Sequence, residues 1–199
     1  MKSHPAARAT RCFVPGMALT VLLAWNSAAA ETGGVTVRPE FYLTGIANYF
    51  ESNGDSYGFE TLATTTELNV YPEHKRYWGG LFIDYRSSTS ARLRDNLNVG
   101  GYFRYNLARW DATAWLFSNH SPNSPGTAIY AARLRYRVSD GSRLGIEALA
   151  PVEAASRPML MLGYYADIAD SVSIKLFAGS GVRIGRDFAA RMELIWKAF

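Results

Sequence analysis

Cysteine is nearly missing from this 199-residue chain, which holds only Cys12. A single thiol builds no internal disulfide framework and no Cys-based metal site. Histidine is scarce too, with only His4, His74 and His120, and no His-Glu-x-x-His pattern joins them. The glycine-rich stretch "GSGVRIG" lacks the lysine and the helix that a phosphate-binding loop needs. Metal and nucleotide chemistry therefore have no support, and no cofactor is expected. Past residue 30 there is no apolar run of the roughly 18–20 residues that a membrane helix requires. A strong charge imbalance is also lacking. The chain carries 21 basic and 17 acidic residues, and three of the basic ones fall in the first 30 positions. The remainder is close to neutral, so the basic pI argues for no nucleic-acid partner.

What is present begins with a leader. Lys2, Arg8 and Arg11 precede the apolar stretch "CFVPGMALTVLLAW", and Ala28-Ala29-Ala30 form a small-residue cleavage site. This order reads as a secretory signal over residues 1–30, with one domain over 31–199. The apolar core is short and is interrupted by Pro15 and Gly16, unlike a membrane anchor. Cleavage removes Cys12 and leaves an exported chain without thiols.

The rest alternates with a period of two. In "AIYAARLRYRVSDGSRLGIEALA" (128–150), Arg133, Arg135 and Arg137 occupy every second position, and Leu134, Tyr136 and Val138 fill the gaps. Such spacing places guanidinium groups on one face of a β-strand and apolar side chains on the other. Ten segments of this type are expected: 35–50, 58–71, 77–87, 96–107, 110–118, 128–138, 142–150, 158–167, 171–179 and 187–199. Counts of eight or twelve remain open. Leu81, Ile83, Phe103, Leu144, Leu162 and Leu194 typify the apolar face. The opposite face collects Glu40, Glu67, Asp84, Arg86, Arg104, Arg133, Arg135, Arg137, Glu147, Lys175, Arg191 and Glu193. Segment 110–118 has apolar residues at both parities and is not assigned a face.

Connection lengths alternate as well. "PEHKR", "AR", "SDG" and "DIAD" are short, whereas "ESNGDSY", "SSTSARLRD", "NHSPNSPGT", "PVEAASR" and "GSGVRIGR" are longer. Short turns at one end, long loops at the other and strands of about 9–11 residues describe an antiparallel up-and-down transmembrane β-barrel. At 138–142 a two-residue loop at Asp140-Gly141 would set Val138 opposite Arg143 and cross the two faces. A three-residue loop with a left-handed glycine keeps them consistent, and it sets Glu147 opposite Arg133 or Arg135. The arginines then face the lumen as part of a charge network. Tyr71, Tyr77, Trp78, Trp110, Trp196 and Phe199 are expected as an interfacial belt at the short-turn end, with a second belt from Tyr49 to Tyr130 at the loop end.

With its leader, its strands and its terminal Phe199, the chain resembles a small Gram-negative outer-membrane β-barrel protein, of no particular family. The resemblance implies outer-membrane lipids, lipopolysaccharide and the insertion machinery as partners. Members of this class commonly end in an aromatic with apolar residues at alternate positions before it. Here Ile195 agrees with Phe199, but Lys197 and Glu193 share its parity. Either a bulge shifts the last residues or the terminal signal is atypical.

Three functional readings follow. The first is a structural or narrow-pore barrel with an arginine-rich lumen, and Arg92, Arg94, Arg183 and Arg186 in its loops suit lipopolysaccharide. The second is a lipid-modifying hydrolase. Outer-membrane phospholipase A and lipid A deacylase families set His-x-Ser on a strand, and His120 and Ser118 have that separation in reversed order, with no evident acid. The third is a secreted lipocalin-like barrel, whose faces are inverted. Turn asymmetry and the aromatic belts favour the membrane form.

Overall fold

The computed structural model describes residues 30–32, 34–52, 54–73, 76–88, 95–122, 126–152, 158–180 and 187–198. The predicted leader apart from Ala30, together with His74, Phe199 and the four loop arginines, lies outside the described residues. The chain forms β1 (Ala30–Thr32), β2 (Val35–Ser52), β3 (Asp55–Pro72), β4 (Tyr77–Ser88), β5 (Asn96–Leu107) and β6 (Trp110–His120). It continues with β7 (Thr127–Ser139), β8 (Ser142–Pro151), β9 (Met159–Ala169), β10 (Val172–Ser180) and β11 (Asp187–Lys197). Among the described residues there is no helix.

Every strand from β2 to β11 pairs antiparallel with its chain neighbour, and β11 returns to pair with β2. Ten staves thus close into an up-and-down barrel without a free edge. The β11 ladder runs from Asp187 opposite Ser52 to Lys197 opposite Tyr42. No bulge interrupts it, so Glu193, Ile195 and Lys197 share one face. β3 pairs along all of β2, which leaves the other edge of β2 for both β11 and the short β1 beside Val35–Val37. Followed around the ring, the register returns to β2 displaced by about 14 residues, a stagger that tilts the staves by roughly 45°.

The orientation is apolar outside and polar inside. Leu81, Ile83, Phe103, Leu134, Ile146, Leu162 and Leu194 are all exposed, Leu81 and Leu162 at 66%. Glu40, Asn69, Asp84, Asn98, Asp111 and Arg135 are buried on the inner face. Water does not tolerate so broad an apolar band, whereas a bilayer does. A lipocalin has the reverse arrangement, so that reading is excluded.

Two local expectations are corrected and one open segment is resolved. β2 and β3 each run 18 residues, and Ser52 pairs with Asp55, so "ESNGDSY" is a tight hairpin rather than a long loop. An Asn-Gly pair favours a two-residue turn, and Gly54 there has φ +86°, a conformation glycine adopts without a steric penalty. At 138–142 the turn is Asp140-Gly141 between the paired Ser139 and Ser142, with a bulge between Arg137 and Ser139. Gly141 is not left-handed. The extra residue, Val138, keeps the two faces apart, as a bulge does when two residues oppose one. In β6, Asp111, Thr113, Trp115, Phe117 and Asn119 face inward, which resolves the ambiguous segment.

Candidate functional site: the barrel interior

All twelve charged positions expected on the inner face have inward parity. Arg137 among them is exposed near the short-turn end. A cavity of about 420 Å³ occupies the short-turn half of the interior, and each of the ten staves contributes to its lining. A second space near the β9–β10 turn shares Tyr42, Asp167, Ser173 and Ile195 with it and extends toward the short-turn mouth.

One wall of the cavity is rich in guanidinium groups. Asp111 on β6 accepts Arg135 Nε at 2.8 Å, with Arg104 at 3.5 Å and Arg143 at 3.9 Å. Arg143 also reaches Asp167 at 3.1 Å. Pairing and hydrogen bonding are what permit such groups to stay out of bulk water. The ladder explains the meeting: Asp111 lies opposite Arg135, and Gly145 beyond it has no side chain. A Cβ at Gly145 would come within 2.9 Å of Arg135 Cγ, so the glycine leaves room for the arginine stem. Arg133 behaves differently. It lies opposite Glu147 in register, as expected, yet its guanidinium stacks 4.7 Å from the Trp115 ring centroid and 5.4 Å from that of Tyr165. Arg104 similarly covers Trp78 at 4.6 Å. Attraction to an aromatic face substitutes partly for a carboxylate.

The wall formed by β2 and β3 is acidic. Glu40 and Glu67 are direct cross-strand partners, and β2 stands five staves from β7, on the far side of the ring. Lys197 holds Glu40 at 2.6 Å, and Tyr42 and Tyr71 both donate to it. Glu67 accepts Tyr102 at 3.3 Å and Asn69 at 3.5 Å. Like carboxylates facing each other across a ladder repel, and the phenols offset this by hydrogen bonding.

A third group crosses the interior. Lys175 pairs with Glu193 at 3.0 Å, and Glu193 with Arg191 at 2.9 Å. Arg191 then reaches Glu147 at 2.7 Å. β11 and β8 are three staves apart, so this bridge is a chord over β9 and β10, and Arg191 passes 4.2 Å from the Phe177 centroid. Nearby, Met161, Tyr165, Phe177 and Ala189 form a buried cluster with Phe50 and Met159 against it. Closer to the loop end, Asp84 binds Arg86, Thr65 and Asn98. The interior is thus charged around the cavity and partly apolar beyond it, rather than ionic throughout.

Asp111 was not among the expected lumen residues, although three arginines converge on it. Its signal was its place next to Trp110 at the start of β6, masked by the inward Trp115 and Phe117. Tyr71 and Trp78 are corrected in the other direction. Both line the cavity instead of the outer belt, because they share parity with Asn69 and Asp84. Tyr77, Trp110 and Trp196 face outward, at 42%, 47% and 48% exposure. His120 and Ser118 lie on the outward face of β6, and a Cβ at Gly126 would come within 2.8 Å and 3.1 Å of His120 Nδ1 and Ser118 Oγ. Among the described residues no carboxylate hydrogen-bonds to His120, and no cluster of three potential metal ligands occurs.

No protein-family model matches this chain, and no curated protein does. Solved structures do match. The KdgM porin superposes with a TM-score of 0.50 over 80% of this chain and 98% of its own length, at 9% identity. The fold this likeness shows is a closed antiparallel β-barrel. The same porin in complex with disordered oligogalacturonate gives the same figures. A loop-deletion mutant of OmpT, an outer membrane protein of Vibrio cholerae, matches with a TM-score of 0.39 over 83% of this chain, at 10% identity. At such identities the likeness is one of backbone path, and the barrel here carries its own set of inward side chains.

Proposed function

We propose that this protein is a narrow outer-membrane channel whose interior favours small anionic solutes. In this reading residues 1–30 are the cleaved leader, 31–199 the barrel, and the surrounding lipid, lipopolysaccharide included, its partner. The observation that carries it is the central cavity, bordered by all ten staves and dominated on one wall by Arg104, Arg133, Arg135 and Arg143. Charged side chains that line a water-filled constriction select ions by sign. The KdgM porin, solved in complex with disordered oligogalacturonate, has a similar backbone path, which is compatible with anionic cargo here.

The test is ion conductance of the barrel in a planar bilayer under a salt gradient. Discrete steps with a reversal potential on the anion side are expected, and Arg135→Ala should move that potential toward zero. Stable insertion without steps overturns the channel. A second reading, a packed and non-conducting barrel, has its own support in the Arg191–Glu147 chord and the apolar cluster beside it.

A further inference from the structure

We infer that the interior cavity binds a small zwitterion, with the solute's carboxylate on the β5–β7 wall and its ammonium group on the β2–β3 wall. This deepens the channel reading and uses the same cavity. Both walls of the cavity carry charge left over after pairing. Among the described residues no carboxylate lies within ion-pair distance of Arg133, whereas Arg104, Arg135 and Arg143 share Asp111. Arg133 Nε has no hydrogen-bond partner. On the other side, among the described residues, Glu67 hydrogen-bonds only to the neutral Asn69 and Tyr102, has no ion pair, and faces the carboxylate of Glu40. Both residues are half-buried, and both line one cavity. An uncompensated charge out of bulk water is costly, and an occupant that neutralises it is favoured.

The rungs add geometry to charge. Arg104, Thr113 and Arg133 stand side by side on β5, β6 and β7, since Thr113 pairs with both arginines in register. Thr113 lines the cavity, is 4% exposed, and its hydroxyl has no protein partner. A hydroxyl between two guanidinium groups donates to a carboxylate without competing for it, and charge-assisted bonds of that kind are the strong ones. On β3 the Glu67 carboxylate, to which the Tyr102 hydroxyl donates from β5, offers an acceptor suited to an ammonium group. The basic wall holds more cations than Asp111 and Asp167 balance, and Glu67 is left over on the other, so a solute with a carboxylate at one end and an ammonium group at the other neutralises charge on both. A simple anion would leave Glu67 uncompensated, and a simple cation would leave Arg133 so.

Equilibrium dialysis of the purified barrel in detergent micelles tests this with 4-aminobutyrate, butyrate and butylamine as probes. 4-Aminobutyrate should bind at least tenfold more tightly than either single-charge analogue. Arg133→Gln should abolish its advantage over butylamine, and Glu67→Gln its advantage over butyrate. Equal binding of butyrate and 4-aminobutyrate by the unmodified protein overturns the inference in favour of a plain anion site. Binding of none of the three also overturns it, and leaves the channel standing if the same preparation conducts. Preferential 4-aminobutyrate binding without conductance upholds the zwitterion site while the channel reading fails.

Discussion

At the scale of single residues, Asp111 organises the interior more than any arginine does. It is the carboxylate on which Arg104, Arg135 and Arg143 converge. Removing one member of a buried ionic set leaves its partners uncompensated, at a cost of about 3 kcal/mol. Asp111→Asn keeps the shape and removes the charge, so urea unfolding in lipid vesicles should show destabilisation of about that size. A matched Asp167→Asn change, at a side chain 48% exposed, should fall within about 0.5 kcal/mol of the parent. The importance of Asp111 was not legible beforehand. Its strand carries Trp115 and Phe117 on the inner face, where Arg133 covers Trp115 and Gly100 makes room for Phe117. An inward aromatic that packs on a cation or over a glycine cannot be distinguished by composition from one that faces lipid. The same ambiguity holds for Tyr71 and Trp78, which stand near a turn yet share the parity of the inner face.

At the scale of elements, the β2–β3 hairpin departs most from expectation. Its Gly, Ser, Asn and Asp residues read as a loop, yet an unbroken ladder holds them from Ser52 opposite Asp55 to Val35 opposite Pro72. Residues 55–60 extend past the last rung shared with β4, where Phe50, Tyr57 and Phe59 stack on one another with centroids 5.5–6.5 Å apart. Ring stacking compensates for the weak strand propensity of the polar residues around it. The turn depends on Gly54, whose positive φ disfavours any L side chain. Gly54→Ala should lower stability by about 1 kcal/mol without changing the strand content, as read by far-ultraviolet circular dichroism during unfolding. The β7–β8 hairpin teaches a related lesson. Parity required one extra residue there, and that requirement was legible, but whether it sits in the turn or as a bulge at Val138 depends on the local twist of the sheet.

At the scale of the whole molecule, the ring of ten staves creates relations that no pair of neighbouring strands contains. The Arg191–Glu147 bridge joins strands three positions apart, and the acidic and basic walls lie across the closed ring from each other. If the interior conducts, the chord narrows it. Arg191→Ala should then raise single-channel conductance at least twofold in a planar bilayer, with the unboiled protein still migrating as a compact barrel in gel electrophoresis. An unchanged conductance places the constriction elsewhere, at the apolar cluster around Phe177 and Met161.

The sequence by itself determined the period of two, the even number of staves, the short turns on one side and the residues that share a face. These follow from backbone geometry and turn chemistry, which act over a few positions. Which face points inward was inferred from the sequence only through indirect signs, because inverting a sheet preserves its alternation. The closed barrel decided it, with Leu81 and Leu162 outward and Arg135 and Asp84 inward. Tertiary structure alone decided which charges meet. Arg133 lies opposite Glu147 on the ladder, yet Glu147 bonds to Arg191 from across the lumen. A long side chain finds its partner through the enclosed space, and that space exists only once the last strand has closed on the first.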